Sequence, residues 1–351
     1  MQPLLPLTMM QHHEENRLGT CGTTVRPPLR VGLRMFGESW PFSLTHRNTC
    51  FLLLSLAIVT WFITPLVELF SLTQLQDHYS HMVLIPWVSL YVFYVEREAL
   101  STSREWSPCL GSLLMGAGAF SYWAAGAVAG TPDHLFWTML AFLMMCWGSF
   151  LFCFGISCFR KFLFGFLFLL FLVPLPSVLL DSIIGFLQRS STEATGFFFS
   201  ILGIPVVREG FVFSLSNFTI HVAEECSGIR STLSLVLTSI VAGHFFLHSM
   251  WGKMSIVALV IPLSIIKNAF RIVGLTLLAN YVDPTYVTNS ALHRSGGIPL
   301  FLISLVVLFS LVWLLRRLEI TDESHFAIDG VHIGTARGGA KKEPFNETPR
   351  R

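Results

Sequence analysis

Several runs of near twenty mostly apolar residues, flanked by arginine or lysine, constrain this chain more than any other feature. A run of that length crosses a hydrocarbon core of about 30 Å as an α-helix, because each backbone group is then satisfied within its own segment. With 53% hydrophobic and 13% charged residues, the chain lacks the polar surface of a soluble protein of this length. The expected fold class is an all-α polytopic membrane protein of about eight transmembrane helices, carrying a small extracytoplasmic amphipathic and β-hairpin insertion before the sixth. A net charge of +2 gives no reason to expect a nucleic-acid partner. The seven cysteines are odd in number and fall mostly in or beside apolar runs, so no disulfide framework is expected.

The order of polar and apolar segments divides the chain into three parts. Residues 1–47 are polar and irregular and read as a disordered cytoplasmic tail. Residues 48–318 form the transmembrane domain, and 319–351 a polar cytoplasmic C-terminal tail. The expected spans are Phe51–Phe70, Met82–Val95, Leu110–Ala129, Leu135–Phe154, Phe162–Leu180, Ile229–Leu247, Ser255–Ala279 and Ile298–Leu315. Pro65 predicts a kink in the first. Gly111, Gly116, Gly118 and Gly126 predict close helix packing along the third. The basic markers, namely the N-terminal arginines, Arg97, Arg104, Arg160-Lys161, Lys253 and Arg316-Arg317, all fall on one side of this arrangement. That side is therefore read as cytoplasmic, with both termini.

Between the fifth and sixth spans the pattern changes. Ile183–Phe199 is an apolar run broken by polar residues and reads as an amphipathic helix. Val206–Val222 alternates loosely and is rich in β-formers, which predicts a small β-hairpin. The sixth span then opens on Glu224-Glu225-Cys226-Ser227-Gly228-Ile229-Arg230. A helix N-terminus and a nearby guanidinium both favour thiolate over thiol at Cys226, and the two acids oppose them. The plain alternative for Cys226 is a small packing residue.

Topology brings two further residues to the same side. Span seven starts near Lys253. Eighteen residues later, at roughly 27 Å of helical rise, Arg271 reaches the opposite boundary of the membrane. His293 lies about one turn before span eight, on that side again. An arginine inside a span is costly and has a partner or a task; headgroup snorkelling is its plain alternative. Cysteine, arginine and histidine together suit acyl transfer. A thiolate attacks a carbonyl, histidine protonates the leaving amine, and a guanidinium stabilises the oxyanion. Arg271 is preferred for the oxyanion, with Arg230, Glu225 and Asn268 as supporting residues. His244 and His248, four apart, lack the glutamate of a zinc-protease motif and read as an interfacial pair. No metal or organic cofactor is implied.

These motifs resemble those of the exosortase/archaeosortase family over about residues 75–316. The resemblance rests on Glu225-Cys226-Ser227-Gly228-Ile229-Arg230, on Asn268-Ala269-Phe270-Arg271-Ile272, and on His293 followed by Gly296 and Gly297. Tyr79-Ser80-His81-Met82-Val83-Leu84-Ile85-Pro86 adds to it near the start. One departure is Glu225, where a small residue is more usual. The resemblance implies a membrane cysteine transpeptidase of PEP-CTERM-type sorting, in the inner membrane of a bacterium that makes exopolysaccharide or surface glycolipid. Its partners would be exported proteins with a C-terminal motif, hydrophobic helix and basic cluster, and a membrane lipid or glycolipid acceptor. Cys226 would be the nucleophile, Arg271 the carbonyl partner and His293 the acid/base. Water in place of the acceptor would make the same triad a processing protease. A non-enzymatic polysaccharide export component would need polar residues at mid-membrane depth, and the mid-parts of these spans are mostly apolar.

Overall fold

The structure is a computed structural model that describes residues 46–102, 105–215, 219–223, 227–281 and 297–336. Side chains are described for these except 77–78, 101–102 and 320–336. The N-terminal tail and the last residues of the C-terminal tail lie outside that set. The described helices are α1 His46–Trp61, α2 Ile63–Leu75, α3 Ile85–Val95, α4 Glu98–Thr102, α5 Pro108–Ala125, α6 His134–Lys161, α7 Leu163–Phe168, α8 Ser177–Ile201, α9 Ile229–Phe246, α10 Met250–Tyr281 and α11 Gly297–Ala336.

Among the described residues, four helices are long and apolar enough to cross a membrane: α6, α9, α10 and the Gly297–Glu319 part of α11. Two bent pairs pass the same test, which raises the number to six if each pair is one span. The expectation of about eight also counted α3 and α5. Helix α3 has 11 residues, near 17 Å of rise, and α5 is diluted by glycines and serines. The chain is thus a multi-pass helical membrane protein with four to six spans by length and composition.

Both bends have prolines behind them. Pro65 lies in the first turn of α2, where it has no N–H to give and its ring crowds the carbonyl four residues back. The α1–α2 pair turns there by 65°. Pro174 and Pro176 interrupt the chain after Leu172, and α8 leaves at 85° to the helix before it. The new N-terminus is capped from a distance: the Ser177 N–H donates to Asp133 Oδ1 at 2.7 Å. A carboxylate there satisfies an orphan donor and meets the positive end of the α8 dipole.

Helices α5 and α6 form a close-packed hairpin. A Cβ built on Gly111 would lie 2.5 Å from the Phe152 backbone nitrogen, and one on Gly118 2.8 Å from Met145 Cγ. Gly116 and Gly126 face open space instead, so only half of the expected small-residue stripe is used in packing. Tyr79, Met82, Ile85, Met139, Leu143, Phe168 and Leu237 then bury one another, which joins α3, α6, α7 and α9.

The insertion before α9 is a three-stranded antiparallel sheet, where a two-stranded hairpin was expected. Its strands are β1 Val207–Glu209, β2 Val212–Ser214 and β3 Thr219–His221, in that order. Phe213 at the centre of β2 is buried against Phe199, Val222, Ile272 and Val273, so the sheet is seated on α8 and α10. Arg208 clamps β1 to α8 through a two-pronged pair with Glu193, at 2.9 and 2.7 Å. That hydrogen bonding raises the Arg208 pKa further. At the exit of β3 the buried Gln188 amide donates to the Val222 carbonyl at 2.7 Å.

Helix α11 continues past Leu318 into the segment read as a tail. Glu319 is tied down there. Its carboxylate accepts the backbone N–H groups of His248 (2.9 Å) and Ser249 (3.2 Å), just before α10 begins. A charge on α11 therefore caps α10 near Lys253, at the end opposite the candidate site.

Candidate active site

Helix α9 starts at Ile229, and the residue before it, Gly228, has φ +76° and ψ 15°. That left-handed conformation suits glycine because a side chain would collide with the following carbonyl. Cys226 is three residues upstream of the first helical residue, and the helix dipole acts mainly within the first turn. The helix start at Ile229 agrees with the expected sixth span, which Cys226 precedes in sequence. Arg230 is the second residue of α9 and exposed.

Gly228 is also packed tightly against α10. A Cβ on Gly228 would sit 2.9 Å from both Cγ and Oδ1 of Asn268. Asn268 is 2% exposed and Lys267 7%. Their helix, α10, runs unbroken for 32 residues despite Pro262. Three residues after Asn268, on a neighbouring part of the same face, comes Arg271. A Cβ built on Gly297, the first residue of α11, would lie 4.0 Å from Arg271 Nε. A guanidinium beside a helix N-terminus meets the positive end of the dipole, so helix electrostatics do not explain this placement.

One face of α10 thus touches two other segments. Asn268 packs on the turn that opens α9, and Arg271 reaches the start of α11. Cys226, Glu225 and His293 lie outside the described residues, so the geometry here concerns the residues that flank them. The turn itself is well tied. The Gly228 carbonyl accepts the Thr232 N–H (3.0 Å), the Thr232 hydroxyl (3.0 Å) and the Ser231 hydroxyl (2.9 Å). The Ser227 side chain is buried, and its oxygen accepts the Ile229 N–H at 3.4 Å. Lys267 Nζ donates to Ser231 Oγ.

Sequence reasoning gave Lys267, Ser231 and Gln188 no role at the site. The signal for Ser231 was its place three residues after a glycine that precedes a helix, a spacing at which a hydroxyl can reach back to a carbonyl. The two histidines four apart are used separately. His244 lies flat on Phe164, with ring centroids 3.6 Å apart, and His248 sits beside Glu319. Among the described residues no group of three or more His, Cys, Asp or Glu is placed to hold a metal ion.

A family model described as transmembrane exosortase matches residues 73–310. No curated protein and no solved structure matches the chain. The matched region runs from α2 through most of the membrane-spanning part of α11, and so contains the α9 turn, the polar face of α10 and the α10–α11 connection together. Since it covers more than half of the 351 residues, the chain belongs to the transmembrane exosortase family.

Proposed function

We propose that this protein is a membrane cysteine transpeptidase that cuts the C-terminal sorting tail of exported proteins. In this reading it works on the outer face of the inner membrane, with both termini in the cytoplasm, and passes the target to a surface acceptor. The observation that carries the reading is the contact pattern of α10. Asn268 abuts Gly228, two residues after Cys226, and Arg271 approaches Gly297, four residues after His293. Two residues of chain reach at most about 7 Å and four about 14 Å. All three proposed catalytic residues are therefore tethered to one helical turn of α10.

The chemistry balances with these groups alone. The Cys226 thiolate attacks the scissile carbonyl, and the negative charge that develops on the carbonyl oxygen faces the Arg271 guanidinium. The carbon–nitrogen bond breaks as protonated His293 gives its proton to the leaving amine. A thioester remains. The acceptor nucleophile then attacks that thioester, its proton passes to His293, and the thiolate leaves. Arg230 and Glu225 serve as support at the edge of the site, and Asn268 holds the turn. The partners are exported proteins that end in a motif, a hydrophobic helix and a basic cluster, with a lipid or glycolipid as acceptor.

Hydroxylamine tests the thioester directly, because it intercepts acyl-enzymes to give a hydroxamate. Membranes containing the protein and a target with such a tail are treated with hydroxylamine, and the mass of the target's new C-terminus is read. A hydroxamate end is the expected result, with an acceptor-bearing end when hydroxylamine is omitted. A free carboxylate end in both conditions would replace transfer by hydrolysis, and an uncut target would remove the reading.

A further inference from the structure

Lys267 has no part in the chemistry above, yet it is expensive to keep where it is. It lies within α10, 7% exposed, and among the described residues no carboxylate pairs with it. Arg271, one turn further on, adds repulsion. An ionisable residue retained inside a span under those conditions has a task. Its single hydrogen bond among the described residues goes to Ser231 Oγ. The Ser231 hydroxyl has one proton, and that proton is directed at the Gly228 carbonyl, 2.9 Å away. The direction of the chain is therefore fixed: ammonium to hydroxyl oxygen, hydroxyl proton to carbonyl. A cationic donor at the head polarises the hydroxyl and strengthens its bond to the carbonyl.

We propose that Lys267 is a positioning residue for the Cys226 turn, acting through Ser231 on the Gly228 carbonyl. The inference rests on the reading of Cys226 as nucleophile and deepens it. Gly228 is held in the left-handed region, at φ +76°, and three features secure it: Asn268 filling the space a Cβ would take, the first turn of α9 on its carbonyl, and the Lys267–Ser231 pair on the same oxygen. Lys267 and Asn268 are consecutive residues, so one stretch of α10 supplies two of those features. Releasing one lets the turn relax, and with it the direction of a thiol two residues upstream. Misplacing a reacting group by about 1 Å can cost about a hundredfold in rate.

The test uses the full-length protein in lipid nanodiscs with a tailed target. It compares wild type, Lys267→Met, Ser231→Ala, the double variant and Cys226→Ala. Each single change at the pair is expected to slow processing by about tenfold, and the double variant to be no slower than the slower single, because the two residues act as one unit. Lys267→Met is expected to melt no lower than wild type, since an apolar chain of similar length replaces a buried charge with no counter-ion among the described residues. Ser231→Ala removes a single hydroxyl and serves as the readout if Lys267→Met fails to accumulate. The proposal is overturned by Lys267→Met processing within twofold of wild type, by slowing that comes with a lower melting temperature, or by single effects that multiply in the double variant. Cys226→Ala separates the two levels. Inactive Cys226→Ala beside active Lys267→Met removes only this inference, whereas active Cys226→Ala removes the nucleophile assignment and this inference with it.

Discussion

Replacing Gly228 with alanine is expected to lower target processing by about a hundredfold and to destabilise the protein measurably. Two physical effects add. The residue is at φ +76°, which costs a non-glycine residue about 1–2 kcal/mol. The new methyl would lie 2.9 Å from Asn268 Cγ and Oδ1, so Asn268 or the turn must move. Overpacking of that kind costs about 1–3 kcal/mol. Asn268 is 2% exposed on a helix that also packs against α8, α9 and α11, which leaves the turn as the part that yields. The displacement falls two residues after Cys226. A second variant separates the two effects: Asn268→Ala in the Gly228→Ala background relieves the collision and leaves the strain, so it should recover part of the stability. Gly228→Ala that processes within twofold of wild type would show that this turn does not control the thiol.

Arg271→Met is expected to reduce processing by about 100- to 1,000-fold while the protein still accumulates in the membrane. That range is what removal of one oxyanion donor costs elsewhere. Arg271→Lys should recover only part of the activity, because a point charge replaces a planar fork of donors. The measurement is single-turnover cleavage of a tailed target at saturating target concentration, which isolates the chemical step from binding. A role in headgroup snorkelling predicts the opposite ranking. Lysine would then serve as well as arginine, and methionine would change insertion or stability before it changed rate. Lys and Met variants that cleave at equal rates would remove Arg271 from the oxyanion.

Much of the membrane architecture was legible because apolar length and basic flanks act locally. Helices α6, α9, α10 and α11 stand where their apolar runs predict. The bend at Pro65 was legible for the same reason, since proline breaks its own helix. Less could be read where contact partners are far apart in sequence. Glu319 caps a helix that starts about 70 residues earlier, and no periodicity marks it as more than the first residue of a polar tail. The three strands after α8 have three residues each, too short for alternation to separate a hairpin from a three-stranded sheet.

The candidate site divides in the same way. Arg271 and Asn268 stood out because polar residues within an apolar run are expensive, and spacing placed them near the far end of the span. Their neighbours across the helix interface could not be derived from spacing. Whether Lys267 faces lipid, solvent or Ser231 depends on how α10 is rotated against α9, and that rotation is set by packing along the whole interface.

The central claim is that Cys226 is the nucleophile, and one comparison tests it most directly. Wild type and Cys226→Ala, matched for amount in the membrane, are given the same tailed target, and the target's C-terminus is read by intact mass. The account predicts a shortened target with wild type and an intact one with Cys226→Ala. Equal shortening by both proteins would contradict it and return Cys226 to the role of a small packing residue.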